Sequence, residues 1–594
     1  MEFTPTLTLG GPRAARFTVS YFDYLSLVVC FVVTTFGLGL PLARRWFPDE
    51  VEGLCAAAVI GLTASFVMNF LFYINFISMK WFSLLPLLGV IGLGWERRTI
   101  SSWWTNIEAR QTLLGWIIVA AWTQFLAMTI VGFGGGAWGG DWLEHHQRAN
   151  FFREHLPLRL MFVGEYLLPA RPPLVNVVTA GYQSISVAVY ACDQAVIGLW
   201  SSLVFLPAAL FCRRAGGKGR AVATLTVLFL LNPSFLQNST FAWTKLPAVF
   251  FVLVGAHFIF RSLEQPAASK NFVLAAVALS AALLAHYSAG PYCGVLVFWW
   301  LAARLYQRHF GLLSREIAIG LVVVVPLLGL WLGWAASAYG LADTFLSNSS
   351  VLETGPKTIG IQAVKIIGNL WATLVPHPFR EVDYILLWQA SSLGWFRDYF
   401  FMIVQVNFFG LMGTGGALAL AVSLWRGCRG TPRQAEAGVL RQRWLWIAVG
   451  ACTLLGVAVH GAADEWGLAH ICLQPLGMMG LAVLAARLWS SGPLGFTILG
   501  IGLAWDAAVN VGLHYWLQAQ PPDPAWLVSS HPVAIYLHHG TSAFNACLKE
   551  ITLTRFLSDT LPGAGLVGPL AIMFVASLVW WRSIHPSKSS QPPV

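Results

Sequence analysis

The residues Gly139-Gly140-Asp141-Trp142-Leu143-Glu144-His145-His146-Gln147-Arg148 bring two carboxylates, two imidazoles and a guanidinium into one short stretch. A carboxylate or imidazole within hydrogen-bond reach of a hydroxyl can accept its proton as the hydroxyl attacks, and a guanidinium can grip a phosphate through paired N–H donors. Hydrocarbon does not tolerate so many ionisable groups together, yet the stretch directly follows an apolar run that ends near Phe133. It belongs at the aqueous boundary, at the mouth of a membrane-embedded cavity. Helical spacing from Asp141 to Glu154 would place Asp141, Glu144 or His145, and Arg148 on one face. The same Asp-x-x-Glu spacing suits a capping box with Asp141 at the N-cap and Glu144 at N3, and capping is compatible with facing a cavity.

The elements that must carry this segment follow from composition. With 57% hydrophobic and 10% charged residues and a mean hydropathy of +0.66, the chain is an all-α polytopic membrane protein rather than a soluble globule. Apolar runs long enough to cross about 30 Å of hydrocarbon as helices occur at 22–43, 54–78, 80–95, 113–133, 191–211, 221–238, 241–260, 271–287, 290–306, 316–337, 399–424, 444–461, 469–488, 494–514 and 564–581. This predicts about 15 transmembrane helices (13–15), joined on the outer face by interfacial helices. Placing the N-terminus outside puts 22 of the 36 Lys and Arg on the cytoplasmic side, including Arg44, Arg45, Arg213, Arg214, Arg261, Arg304 and Arg582. The net charge of +10 is thereby explained without a nucleic-acid partner.

On this map the chain divides into an N-terminal three-helix module 1–110, a core 111–337 with its first outer loop at 134–190, and a large outer loop 338–398. The C-terminal helices 399–581, with the outer loop 515–563, and a short cytoplasmic tail 582–594 complete it. The long outer loops and the outward bias of the histidines locate the chemistry on the outer face. Pro172-Pro173 opens a second surface helix in the first outer loop, running to about Tyr190. In the large outer loop, Lys357, Lys365 and Arg380 alternate with Ile361, Ile366, Ile367 and Trp371 as an amphipathic helix over the cavity mouth. The first apolar run lacks a cleavage site, so no removable signal peptide is read there. Most of the nine Cys lie in or beside apolar spans as packing residues, without a disulfide framework.

The order of motifs resembles a known family. The acidic motif of the first outer loop, Arg171-Pro172-Pro173-Leu174, a span ending in a basic cluster, Asn232-Pro233-Ser234, Phe241-Ala242-Trp243-Thr244-Lys245-Leu246-Pro247 and His286-Tyr287-Ser288-Ala289 resemble GT-C superfamily glycosyltransferases. The nearest flavour is the protein O-mannosyltransferase and lipid A aminoarabinose transferase group, over roughly residues 113–310. The resemblance implies transfer of a sugar from a polyprenyl-phosphate donor to an acceptor hydroxyl on the outer face of the plasma membrane, the acceptor being a lipid, glycan or protein. It implies an acidic residue of the first outer loop as general base, which by position is Asp141, with Glu144 as the second candidate. It further implies cationic partners for the donor phosphate, among Arg148, Arg171, Lys245, Lys357, Arg380 and Arg397, with His145, His146 and His286 orienting substrates. The chain departs from the family's adjacent Asp-Glu pair by its Asp-x-x-Glu spacing, and carries three spans ahead of the motif-bearing one.

Two other constellations compete for attention. The turn from His460 to His470 combines Asp464, Glu465 and His470 at separations a metal would accept, so a divalent metal stays open as a cofactor with Asp464 and His470 as candidate ligands. Asp506, Asn510 and His514 fall on one stripe of a single span. An intramembrane Asp marks function by default, which makes a transporter or lipid flippase the alternative function.

Overall fold

The structure is a computed structural model and describes residues 21–129, 141–162, 166–186, 190–217, 219–347, 358–375, 408–428, 450, 473–488, 492–508 and 564–584. The described residues are helical almost throughout, and every predicted span overlaps a helix apart from 444–461, which but for residue 450 lies outside the described residues. Among them six helices are long and apolar enough to cross a membrane: Phe22–Trp46, Glu50–Ile74, Ile107–Met128, Cys192–Arg214, Lys245–Glu264 and Phe310–Tyr339. Met79–Trp95, Ser269–Ala285, Pro493–Ala508 and Val567–Arg582 are shorter apolar helices.

The run predicted as one span at 221–238 is two helices, Gly219–Leu231 and Pro233–Thr240, bent by 59°. Pro233 causes the break: it offers no N–H to the preceding turn, and its ring disfavours helical backbone at the residue before it. Asn232, extended at φ −71° and ψ 120°, caps the second helix by accepting from Phe235 N at 2.7 Å, and its amide donates to Leu411 O. The bend is thereby tied to the helix Phe408–Met412.

Most of the described helices share one apolar core, with a small second cluster joining Ile107–Thr129 to Ala564–Ile584, and they carry a polar layer at each end. The helices Tyr190–Ser202 and Phe205–Arg214 link the two layers. Asp193 meets His146 near the first end, and Arg213 meets both Asp49 and Glu108 at 2.9 Å at the other. Glu50–Ile74 does the same. Asp49 caps its start, accepting from Val51 N and Glu52 N at 3.0 Å, while Tyr73 at its far end packs on Phe151 and Phe152 of the helix Asp141–Glu154. Close approach of the N-terminal helices needs glycine: a Cβ on Gly37 would lie 2.2 Å from Gly89 O, and Gly415 and Gly502 cross in the same way. Small residues that let backbones touch are the usual means of packing helices in lipid, where apolar burial gives little drive between them.

At the Arg213 end the most buried ion pair is Arg304–Glu316. The guanidinium donates through Nε and Nη2 to both carboxylate oxygens at 2.8 Å, Trp300 Nε1 donates at 2.8 Å, and Arg304 also reaches Ser262 O. Removing one partner of such a pair leaves a charge in a site that cannot solvate it. Arg304→Ala is expected to cost about 3–5 kcal/mol, whereas the double variant Arg304→Met/Glu316→Met should recover much of that loss. Thermal unfolding in detergent measures both, and equal losses for the single and double variants would refute the pairing argument.

Candidate functional site

The acidic motif forms a helix, Asp141–Glu154, that opens on Asp141 as the spacing predicts. The stretch after Pro172-Pro173, predicted as a second surface helix, is the helix Leu174–Ile185, which packs beside the first and is buried from Leu174 to Gln183 rather than lying on the surface. Among the described residues between them are an antiparallel bridge of Phe162 to Tyr166 and a tight helical turn at Leu168–Ala170.

Glu144 is fully buried and held by two guanidiniums. Arg148, one turn along the same helix, donates from Nε at 2.8 Å and lies 2.6 Å away at Nη2, and Arg171 approaches the second oxygen at 3.3 Å. The predicted capping box rests on Asp141, whose side chain lies outside the described residues. Arg148 has no exposed side-chain surface. Its Nη groups donate to Leu168 O and Leu167 O, and its guanidinium lies 4.4 Å from the centre of the Phe162 ring. Arg171 stacks over Tyr166 at 5.0 Å and keeps 18% of its side chain exposed, against none for Glu144 and Arg148. Burial alone would raise the Glu144 carboxyl, but the charges of Arg171 and Arg148 outweigh it and hold it at about 2. A carboxylate so stabilised is a weak base near neutral pH.

His145 accompanies this cluster, its Nδ1 3.1 Å from Asn176 Oδ1 on the helix Leu174–Ile185. Burial pushes the imidazole down to about 4, helped by the two nearby guanidiniums and opposed by Glu144. His146 faces the other flank, with Nδ1 2.5 Å from Asp193 Oδ2 and Nε2 3.0 Å from the Asn150 amide. Gln183 donates to both Asp193 oxygens at 2.8 and 2.9 Å. The helix beginning at Asp141 is thus pinned on two sides by buried polar groups.

The remaining predicted residues are distributed as follows. Lys245 is buried at the start of its helix, its ammonium over the Trp243 ring, which stands at a turn through Ala242 at φ +28°. His286 ends a helix and its Nδ1 accepts from Ser288 N at 3.1 Å, leading into the turn where Tyr287 donates to Pro169 O. Asp506 is buried, and its carboxylate lies close enough to Gly413 that a Cβ there would come within 2.4 Å. Lys357, Arg380, Arg397, Asp464, His470, Asn510 and His514 lie outside the described residues. Among the described residues no three His, Cys, Asp or Glu side chains converge as a metal site. The predicted amphipathic helix lies at Ile359–Leu374, and it leaves Val364, Ile367 and Trp371 exposed along one stripe.

Asp193, Gln183 and Asn176 are site residues that the sequence reading missed. Asp193 carried a usable signal, since it is an acid two residues into an otherwise apolar run.

Glu144 and His145 together set an acid sensitivity. The unfolded chain takes up these protons near the ordinary values of 4.5 and 6.5, the folded chain only near 2 and 4, so stability falls as pH drops through these windows. His145→Gln is expected to flatten the fall of Tm between pH 6.5 and 4 while leaving the steeper fall below 4.5. A melting series across pH measures this, and an unchanged slope would mean that the imidazole titrates normally.

Comparisons with known proteins meet this site. The nearby folds include the crystal structure of ArnT from Cupriavidus metallidurans bound to undecaprenyl phosphate, at 15% identity, 79% of this chain, 77% of that one and a TM-score of 0.42. The archaeal oligosaccharyltransferase AglB from Archaeoglobus fulgidus, in complex with an inhibitory peptide and a dolichol-phosphate, is similar at 12% identity, 77% of this chain, 59% of that one and a TM-score of 0.32. No curated protein matches the sequence. The family model of dolichyl-phosphate-mannose-protein mannosyltransferases matches residues 143–339, opening two residues after Asp141 and taking in Glu144, Arg148, Arg171, Lys245 and His286. Residues 143–339 are thus similar to the dolichyl-phosphate-mannose-protein mannosyltransferases, over much of the stretch where the motifs resemble GT-C enzymes.

Proposed function

We propose that the protein is a GT-C type glycosyltransferase that moves a sugar from a polyprenyl-phosphate donor to an acceptor hydroxyl on the outer face of the plasma membrane. The observation that carries this reading is the buried Glu144–Arg148–Arg171 cluster, which fixes the helix opening on Asp141 inside a segment that matches a polyprenyl-phosphate-sugar family. In the reaction the acceptor oxygen bonds to the anomeric carbon as the bond from that carbon to the phosphate oxygen breaks. The polyprenyl phosphate leaves with the electron pair, and the acceptor proton passes to a carboxylate.

Asp141 is the base in this proposal. It opens the motif helix, whereas Glu144 is already committed to two guanidiniums and has too little proton affinity for the task. Glu144 and Arg148 then act as a positioning pair, and Arg171, the member of the cluster with exposed surface, meets the donor phosphate. Lys245 and basic residues of the large outer loop, Lys357 and Arg380, supply further cationic contacts. His145 stays neutral across the working range and offers a hydrogen bond rather than a charge.

Transfer from a panel of radiolabelled polyprenyl-phosphate sugars by purified protein in lipid tests the proposal. Asp141→Asn is expected to lower turnover by about 10²–10⁴-fold with donor binding retained, and Asp506→Asn to leave it within a few-fold of the parent. Turnover indifferent to Asp141, or absent with every donor, would refute the assignment and return weight to a transporter built on Asp506.

A further inference from the structure

The layer opposite the motif helix holds a cavity of about 420 Å³ lined by Asp49, Glu52, Glu108, Arg213, Arg214 and Arg261, with His257 beneath them. It lies where four helix ends meet: the starts of Glu50–Ile74 and Ile107–Thr129 and the ends of Phe205–Arg214 and Lys245–Glu264. None of these residues takes part in the proposed transfer, which occurs at the far end of the same helices.

The walls alternate in sign. Arg213 grips Asp49 through two N–H donors at 3.1 and 2.9 Å and reaches Glu108 at 2.9 Å, while Arg261 and His257 share the Glu52 carboxylate at 2.9 and 3.0 Å. The three guanidinium side chains are each about a quarter exposed, at 26%, 25% and 28%, so they form the wall of a recess rather than free surface charge. The most exposed acids stand at the rim, Glu108 at 55% and Asp49 at 35%. Deeper in, His257 is 3% exposed and bonds Glu52 through Nε2, which leaves its Nδ1 buried without a protein partner. A buried ring nitrogen of this kind calls for a polar group from outside the chain.

The lining itself holds three carboxylates and three guanidiniums and is neutral with His257 uncharged, while Glu264 pairs with Arg214 from outside it at 2.5 Å. An anion alone would unbalance it by one charge and a cation alone by one in the opposite sense. A ligand that carries both signs a few atoms apart preserves the balance, with its phosphate on the guanidiniums and its ammonium on the rim acids. This end of the helices also gathers the basic residues Arg44, Arg213, Arg214, Arg261 and Arg304, as segments beside the cytoplasmic leaflet do. We propose that this cavity binds the phosphoethanolamine headgroup of a zwitterionic phospholipid from that leaflet, as a lipid site separate from the sugar-transfer site.

Native mass spectrometry of the full-length protein, with equal amounts of phosphatidylethanolamine and phosphatidylglycerol added to the detergent, reads the preference directly. Retention of phosphatidylethanolamine at least several-fold above phosphatidylglycerol is expected. Glu108→Gln removes one rim charge on an exposed side chain and should shift the preference towards phosphatidylglycerol. Arg214→Gln should weaken retention of both lipids, because each carries a phosphate. Equal retention of the two lipids by the parent, or a preference that Glu108→Gln leaves unchanged, would overturn the proposal. Soluble phosphoethanolamine separates the lipid from a free ligand: weak competition at millimolar concentration is expected for a lipid site, and binding tighter than that of the lipid would refute the lipid assignment.

Discussion

The structure around the motif depends on one carboxylate buried between two guanidiniums. Taking three charges out of water is expensive, and attraction between them repays the cost only when the remaining donors are also satisfied. Here they are, because Arg148 spends its Nη groups on two successive carbonyls, Leu167 and Leu168, and lays its face on Phe162. An irregular stretch that would otherwise present unpaired carbonyls to an apolar interior becomes the wall of the cluster. The turn carrying Tyr287 closes the same wall by donating to Pro169 O, and Trp331 donates to Tyr287 in turn at 3.4 Å. A single ion cluster thus joins the motif helix, the loop before Arg171 and two spans far apart in sequence.

The bundle that supports this cluster has polar ends and an apolar middle. Between lipid-facing helices the middle contributes shape rather than a strong hydrophobic drive, which explains why backbone contacts at Gly37, Gly89, Gly415 and Gly502 recur there. Register along the helix axes must then come from the ends. Asp193 with His146 at one end and Arg213 with Asp49 at the other fix where Tyr190–Ser202 and Phe205–Arg214 stand. The N-terminal helices join the same core, since Tyr182 meets Thr34 and Tyr24 donates to Gln124 at 2.8 Å.

Much of this was legible in the sequence because hydropathy and helical spacing report local causes. The helix from Asp141 to Glu154 and the Glu144–Arg148 pair follow from i, i+4 spacing alone. What could not be read was long-range. Arg171 lies 27 residues from Glu144, and Asp193 lies 47 from His146, so no periodicity announces either pairing. The bend at Asn232-Pro233 was hidden for a different reason: hydropathy averages across a break that only the proline marks.

The C-terminal end of the motif helix is held by ring stacking rather than by charge. At its C-terminal end His155 adopts φ +50°, and Phe76, just past the end of Glu50–Ile74, adopts φ +54°. Both are left-handed conformations that cost non-glycine residues energy, so something must hold them there. Each meets the other: the His155 ring stacks on Phe76 at 5.4 Å and on Tyr73 at 5.0 Å, so two helices terminate against one another. That contact stops the motif helix at a fixed point and turns the chain into the loop whose carbonyls receive Arg148. The motif helix is thus held at its C-terminal end by stacking and on both flanks by buried polar groups.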